Sequence, residues 1–180
     1  DGKFMKKRFR QVLKDIHREE MKTQKSYTVQ EATKTLEKYC VYQERCHKDV
    51  ENKLREMNMI PEAENQILLH LMQHNYLNEE RFSKAFARGK FNINKWGKIK
   101  ITNELKFKNI STYNIKTALN EIEPQVYYDA LLTLSKKKSL LIKEKNIYKK
   151  HTKLTNYLAS KGYEFELIYK AINELKSLKN

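Results

Sequence analysis

Apolar residues recur along this chain at intervals of three and four, the spacing that gathers them on one face of an α-helix. Phe9, Val12, Leu13 and Ile16 share such a face and predict an amphipathic, basic helix over residues 4–21. Thr28 with Glu31 three residues later has capping-box chemistry, and Val29, Ala32, Leu36 and Cys40 carry the pattern onward. Val50, Leu54 and Met57 form the next stripe; Ile67, Leu68 and Leu71 follow Pro61, a residue suited to a first turn. Asn78 then caps a helix whose first turn holds Glu79 and Glu80, where carboxylates meet the positive end of the helix dipole. The stripe expected on that helix is Phe82, Ala85, Phe86 and Gly89. Residues 97–108 place Ile101 and Leu105 one turn apart, and Ser111 caps a helix bearing Ile115, Ala118, Leu119 and Ile122. Pro124 opens a helix with Tyr128, Leu131 and Leu134, and residues 164–175 close the series with Phe165, Ile168, Ala171 and Ile172. No segment alternates as a strand would, so the chain reads as all-α.

The stripes also repeat at a longer period. Three copies of one helix-pair signature, at His47–Met59, Gly97–Ile110 and Lys153–Tyr163, lie about fifty residues apart. Leu54, Leu105 and Leu158 occupy matching places, and Asn58, Asn109 and Gly162 each follow four residues later. Asn and Gly are the residues that best tolerate the left-handed conformation that ends a helix. The expected organisation is three tandem three-helix, helix-turn-helix-like repeats over 28–76, 77–123 and 124–180, with the N-terminal helix or extension occupying 1–27.

Composition narrows the partner. Thirty-seven Lys and Arg against 22 Asp and Glu leave a net charge of +15 over 180 residues, an excess that attracts polyanions. No apolar run approaches the ~18 residues of a membrane span, and the N-terminus lacks the apolar core of a signal peptide. Met5 is read as the natural start. Two cysteines make no disulfide framework, so a cytoplasmic location is expected.

Three segments carry a family resemblance. They are Tyr76-Leu77-Asn78-Glu79-Glu80-Arg81-Phe82, the Gly-x-x-Lys-Ile-x-x-Glu-Leu pattern of Gly97 to Leu105 with Ile110 beyond it, and Leu158 to Ile172 with its Lys161-Gly162-Tyr163 core. In this order and spacing they resemble the RecX family, regulators of the RecA recombinase, over residues 29–175. The chain departs from the family pattern at Asn78 and Glu79, where paired aspartates are usual, and at Asn109, where glycine is. Both changes keep helix-end chemistry. The resemblance implies three three-helix units in an elongated, curved arrangement. It further implies binding to the RecA–single-stranded-DNA filament and inhibition of recombinase, ATPase and coprotease activity, hence regulation of DNA repair, with no cofactor. A curved monomer with one basic face would touch several protomers of such a filament and its single-stranded, or double-stranded, DNA.

Candidate contacts follow from the charge. Lys137, Lys138, Lys149, Lys150 and Lys153 lie in a lysine run that includes Tyr148, which offers a stacking face for a base. Arg88, Lys90, Lys95, Trp96, Lys98 and Lys100 form a second group. Trp96, the only tryptophan, serves there either as a packing anchor or as a direct contact. A solvated lysine face is the plain alternative for the run. The rival function is a stand-alone basic helical DNA-binding module, such as a helix-turn-helix transcription regulator. Sequence-specific readout favours Arg, Asn and Gln on base edges, whereas this positive charge is almost all Lys, suited to phosphates.

Other chemistries find little support. Cys40, Cys46, His70 and His74 raise a zinc site, but the cysteine gap exceeds zinc-finger spacing, and His70-Leu-Met-Gln-His74 lacks a metalloprotease glutamate. There is no glycine-rich phosphate loop and no nucleophile signature, so the expectation is a protein that is not an enzyme.

Overall fold

A computed structural model describes residues 26–177; the helix expected over 4–21 and the reading of Met5 lie outside them. The described residues form nine helices and no strand. In chain order they are α1 (Val29–Tyr42), α2 (His47–Glu56), α3 (Pro61–Gln73), α4 (Glu79–Asn92), α5 (Lys98–Phe107), α6 (Thr112–Asn120), α7 (Pro124–Leu141), α8 (Ile147–Ser160) and α9 (Phe165–Ser177). Their starts follow the cap chemistry. Thr28 and Glu31 close a reciprocal capping box on α1, and the side chains of Asn78, Ser111 and Asn146 accept backbone N–H bonds at the heads of α4, α6 and α8.

The repeat is visible atom by atom where the second helix of each set ends. Asn58, Asn109 and Gly162 have φ of 54°, 62° and 90°. In each case the next residue's N–H bonds back to the matching leucine: Met59 to the Leu54 carbonyl at 3.2 Å, Ile110 to Leu105 at 3.0 Å and Tyr163 to Leu158 at 3.3 Å. This six-to-one bond is the Schellman ending, which satisfies a carbonyl the helix would leave orphaned.

The helices pack most closely in threes: α1 with α3, α2 with α3, α4 with both α5 and α6, and α7 with both α8 and α9. Ala32, Leu36, Val50, Leu54, Ile67 and Leu71 are the centre of one core, inside the first three helices. A second core runs without interruption from Phe82 in α4 to Ile172 in α9. Burying each such Leu or Ile stabilises the fold by about 1.5–3 kcal/mol.

Two apolar stripes lie elsewhere than their spacing suggests. On α4 the buried face is Phe82, Ser83, Ala87 and Phe91, while Ala85, Phe86 and Gly89 are only partly covered. On α7 it is Tyr127, Leu131 and Ser135, with Tyr128 and Leu134 half-buried. Both helices touch neighbours on two sides, and Phe91 and Tyr127 turn the covered arcs of α4 and α7 towards each other. Phe165, expected inside, is 57% exposed at the head of α9.

The first and second sets meet through side chains. Cys46, ahead of α2, is fully buried in the second core, and that burial pushes its thiol up to about 11. Lys48 Nζ donates to the Phe107 carbonyl at 2.6 Å, and Arg81 Nε to Glu44 Oε1 at 2.5 Å. Asp49 accepts from Lys108 Nζ at 2.9 Å and from the Cys46 amide at 3.3 Å. Burial raises the Asp49 pKa, but the bonds from Lys108 and Cys46 outweigh it and leave the carboxyl below the ordinary aspartate value. A depressed folded-state pKa stabilises above the unfolded value and is lost as pH falls through the folded one. Asp49→Asn is therefore expected to cost about 1–2 kcal/mol near neutrality. The deficit closes at about pH 2, read from urea midpoints at the two pH values.

Candidate nucleic-acid interface

The second and third sets meet differently, backbone to backbone. Gly97, the residue before α5, donates its N–H to the Lys161 carbonyl at 2.8 Å, and Ile99 donates to the Gly162 carbonyl at 3.0 Å. The approach requires glycine on both sides. A Cβ on Gly97 would run into the Gly162 carbonyl, and one on Gly162 would run into Lys100.

Beneath this seam Tyr127 is buried, its ring tilted against Phe91 and Tyr163 at 5.8 and 5.1 Å between centroids. Its hydroxyl accepts the Lys98 amide N–H at 2.9 Å and donates to Glu164 Oε2 at 2.7 Å. Burial raises the phenol pKa strongly; the Lys98 amide opposes this and Glu164 adds to it, so the hydroxyl stays a donor. One side chain thus ties α5, α7 and the head of α9.

Above the seam, cations are held over aromatic rings. Lys90 and Lys100 place their ammonium groups 4.7 and 4.6 Å from the Trp96 ring, and Lys98 lies 5.0 Å from Tyr127. Lys138 and Lys161 sit 4.5 and 5.9 Å from Tyr157. Lys100 also reaches the Ser160 carbonyl, and Lys161 the Asn94 carbonyl, both at 3.4 Å, so the two groups cross the junction. None of these five lysines pairs with a carboxylate of the described residues. The result is a strip of uncompensated positive charge with two half-buried ring faces, Trp96 and Tyr157, and an exposed Ile99 between lysines. It is suited to phosphates beside flat, apolar groups.

Of the residues singled out from the sequence, Trp96, Lys98, Lys100 and Lys138 come together here. Lys149 and Lys153 continue the strip along α8, two turns and one turn before Tyr157, although Lys153 is paired with Glu144 at 2.9 Å. Tyr148 is 80% exposed beside them. The others point elsewhere. Lys137 lines an open groove with Lys95 and Asp129, Arg88 borders a separate cavity with Lys84 and Glu121, and Lys150 turns towards α9. Lys90 belongs to the second basic group read from the sequence, whereas Lys161 and Tyr157 were not singled out as contacts. Lys161 had a signal, its place before Gly162 in the repeated helix ending. Trp96 is both anchor and surface: partly buried, yet flanked by two free cations.

The zinc candidates do not meet. Cys40 and Cys46 occupy separate cores, His70 Nε2 lies 2.7 Å from Glu37 Oε1, and among the described residues no three metal-type ligands converge. Nor is any described helix long and apolar enough to cross a membrane.

Fold and surface together define a tandem three-helix protein whose distinguishing feature is a basic face set with aromatic rings. Family models agree: residues 78–119 match RecX, second three-helix domain, and residues 125–172 match RecX, third three-helix domain. A regulatory protein RecX of Bacillus cereus (strain B4264) is 26% identical over 152 residues, covering 84% of this chain and 56% of that relative. One from Clostridioides difficile (strain 630) is 26% identical over 105 residues, covering 58% and 50%. The chain spans about half the length of these curated relatives. The crystal structure of RecX from Lactobacillus salivarius superposes with a TM-score of 0.73 at 23% identity, covering 82% of this chain and 96% of that one. Another regulatory protein RecX gives 0.74 at 21%, covering 81% and 73%. This chain belongs to the RecX family.

Proposed function

We propose that this protein binds the single-stranded-DNA filament of RecA recombinase and restrains it, acting in the cytoplasm as a monomer without a cofactor. The observation that carries the reading is the strip of five lysines around Trp96, Tyr127 and Tyr157, none with a carboxylate partner among the described residues. Such a strip follows a phosphate backbone without reading its sequence. An elongated, curved chain of three-helix units, along 28–76, 77–123 and 124–180, would set the strip against a filament groove and touch several protomers. Many weak contacts then add, and a molecule that prefers the growth-blocked filament shifts the population by that preference. Recombination and coprotease activities that need an extended filament fall with it.

The test is the single-stranded-DNA-dependent ATPase of the cognate recombinase with this protein titrated well below one per protomer. Progressive loss of turnover is the expected result. Unchanged turnover alongside tight binding to naked DNA would replace this reading with the helical DNA-binding module.

A further inference from the structure

On another side of α8 from Lys149, three basic groups and a hydroxyl line a small cavity of about 80 Å³. It lies where α7, α8 and α9 converge. Ser139 contributes from α7, Lys150 and His151 from the first turn of α8, and Lys176 from the last turn of α9, over a floor that includes Leu154 and Ile172. No acidic residue lines it. Lys150 has no carboxylate partner among the described residues, and Lys176 reaches only the Asn173 amide oxygen, at 3.5 Å. Burial, then the ammonium groups of Lys176 and Lys150, hold the His151 ring below the ordinary imidazole value. The charged and titratable groups facing that ring are thus Lys150 from its own helix and Lys176 from α9, with the neutral Ser139 from α7.

Like charges brought together around a cavity raise one another's energy, and a dianion among them reverses the sign of that interaction. Ammonium, imidazolium and hydroxyl are all donors to phosphate oxygens, and the cavity is of a size for one such group, not for a nucleobase or a peptide. We propose that Ser139, Lys150, His151 and Lys176 form a phosphate-binding site, taking either the terminal phosphate of a nucleic acid or the free ion. This site stands on its own residues and does not depend on the recombinase reading. Lys149 and Lys150 are adjacent in the helix and so lie about 100° apart, which lets one face the strip and the other the cavity.

The experiment follows the histidine ring protons of the full chain by NMR through a pH titration, with sulfate or with chloride at equal ionic strength. Sulfate stays a dianion where imidazole titrates, so a moving titration reports the ring. His151→Gln identifies the resonance. Saturating sulfate is expected to raise the His151 titration by about one pH unit, tenfold tighter binding to the protonated ring, while His47, His70 and His74 stay put. Lys150→Gln and Lys176→Gln should each remove the displacement. A shift shared equally by His47, or one that survives both lysine variants, overturns the site. Two further probes name the source. A 5′-phosphorylated trinucleotide acting at roughly tenfold lower concentration than its 5′-hydroxyl counterpart assigns a nucleic-acid end. Inorganic phosphate matching the phosphorylated trinucleotide assigns the free ion.

Discussion

Gly162→Ala is expected to lower the thermal midpoint by roughly 6–12 °C, the effect of about 3 kcal/mol in a chain of this size. Two costs combine. At φ 90° any side chain strains the backbone by about 1–2 kcal/mol. The new Cβ would also meet the backbone and Cβ of Lys100, which cannot retreat because Ile99 beside it donates to the Gly162 carbonyl. The seam between the second and third sets must then open, and the core shared by Phe91, Tyr127 and Tyr163 opens with it. Two comparisons isolate the cause. Asn109→Gly, at the matching place with φ 62°, should leave the midpoint unchanged or raise it, since glycine relieves the strain. Gly89→Ala, in α4 with open space around it, should stabilise by up to about 1 kcal/mol through helix propensity. Calorimetry of the three variants decides the matter: a Gly162→Ala midpoint as high as that of Gly89→Ala would mean the seam carries no stability.

Replacing Lys100, Lys138 and Lys161 together by Gln should weaken single-stranded-DNA binding by roughly a hundredfold at moderate salt. It should also flatten the dependence of log affinity on log salt by about 2, from about 0.7 per phosphate contact on single strands. The fold should persist, because the bonds these side chains give up, to the Ser160 and Asn94 carbonyls at 3.4 Å, are long and exposed. Lys34, Lys106 and Lys116, exposed on other faces, form the control: their triple replacement removes the same charge and should leave most of the slope. Equal losses in the two variants would show that net charge alone, and no particular strip, holds the nucleic acid. Trp96→Ala in the intact lysine background separates stacking from charge, since it should reduce affinity while leaving the slope in place.

The local structure of this protein was legible because it is set by neighbours in the chain. Thr28 with Glu31, Asn78 and Ser111 start helices through bonds to their own next turn, and Asn58, Asn109 and Gly162 end helices for a reason confined to one residue's φ. The period of these signals revealed three repeats, and their order carried the resemblance to the RecX family. The lysine excess likewise set the net charge at +15, a property that no folding step can alter.

Helix faces and site membership were another matter. Periodicity reports that a helix has an apolar side, but α4 and α7 each bury an arc against two neighbours, so Tyr127 went inside and Tyr128 to the margin. Lys161 and Tyr157 joined the strip because two glycines bring α5 against the end of α8, residues more than sixty apart in the chain. Lys137 and Lys138, adjacent in sequence, parted for the same geometric reason, one to a groove and one onto Tyr157. The sequence by itself determined where helices begin and end, how many there are in the described chain and which sign of charge they carry, because those depend on contacts within a turn or on composition. Only the tertiary structure decided which lysines stand together and which rings lie beneath them, because long-range packing sets the rotation of each helix and each residue shifts that rotation by a large angle.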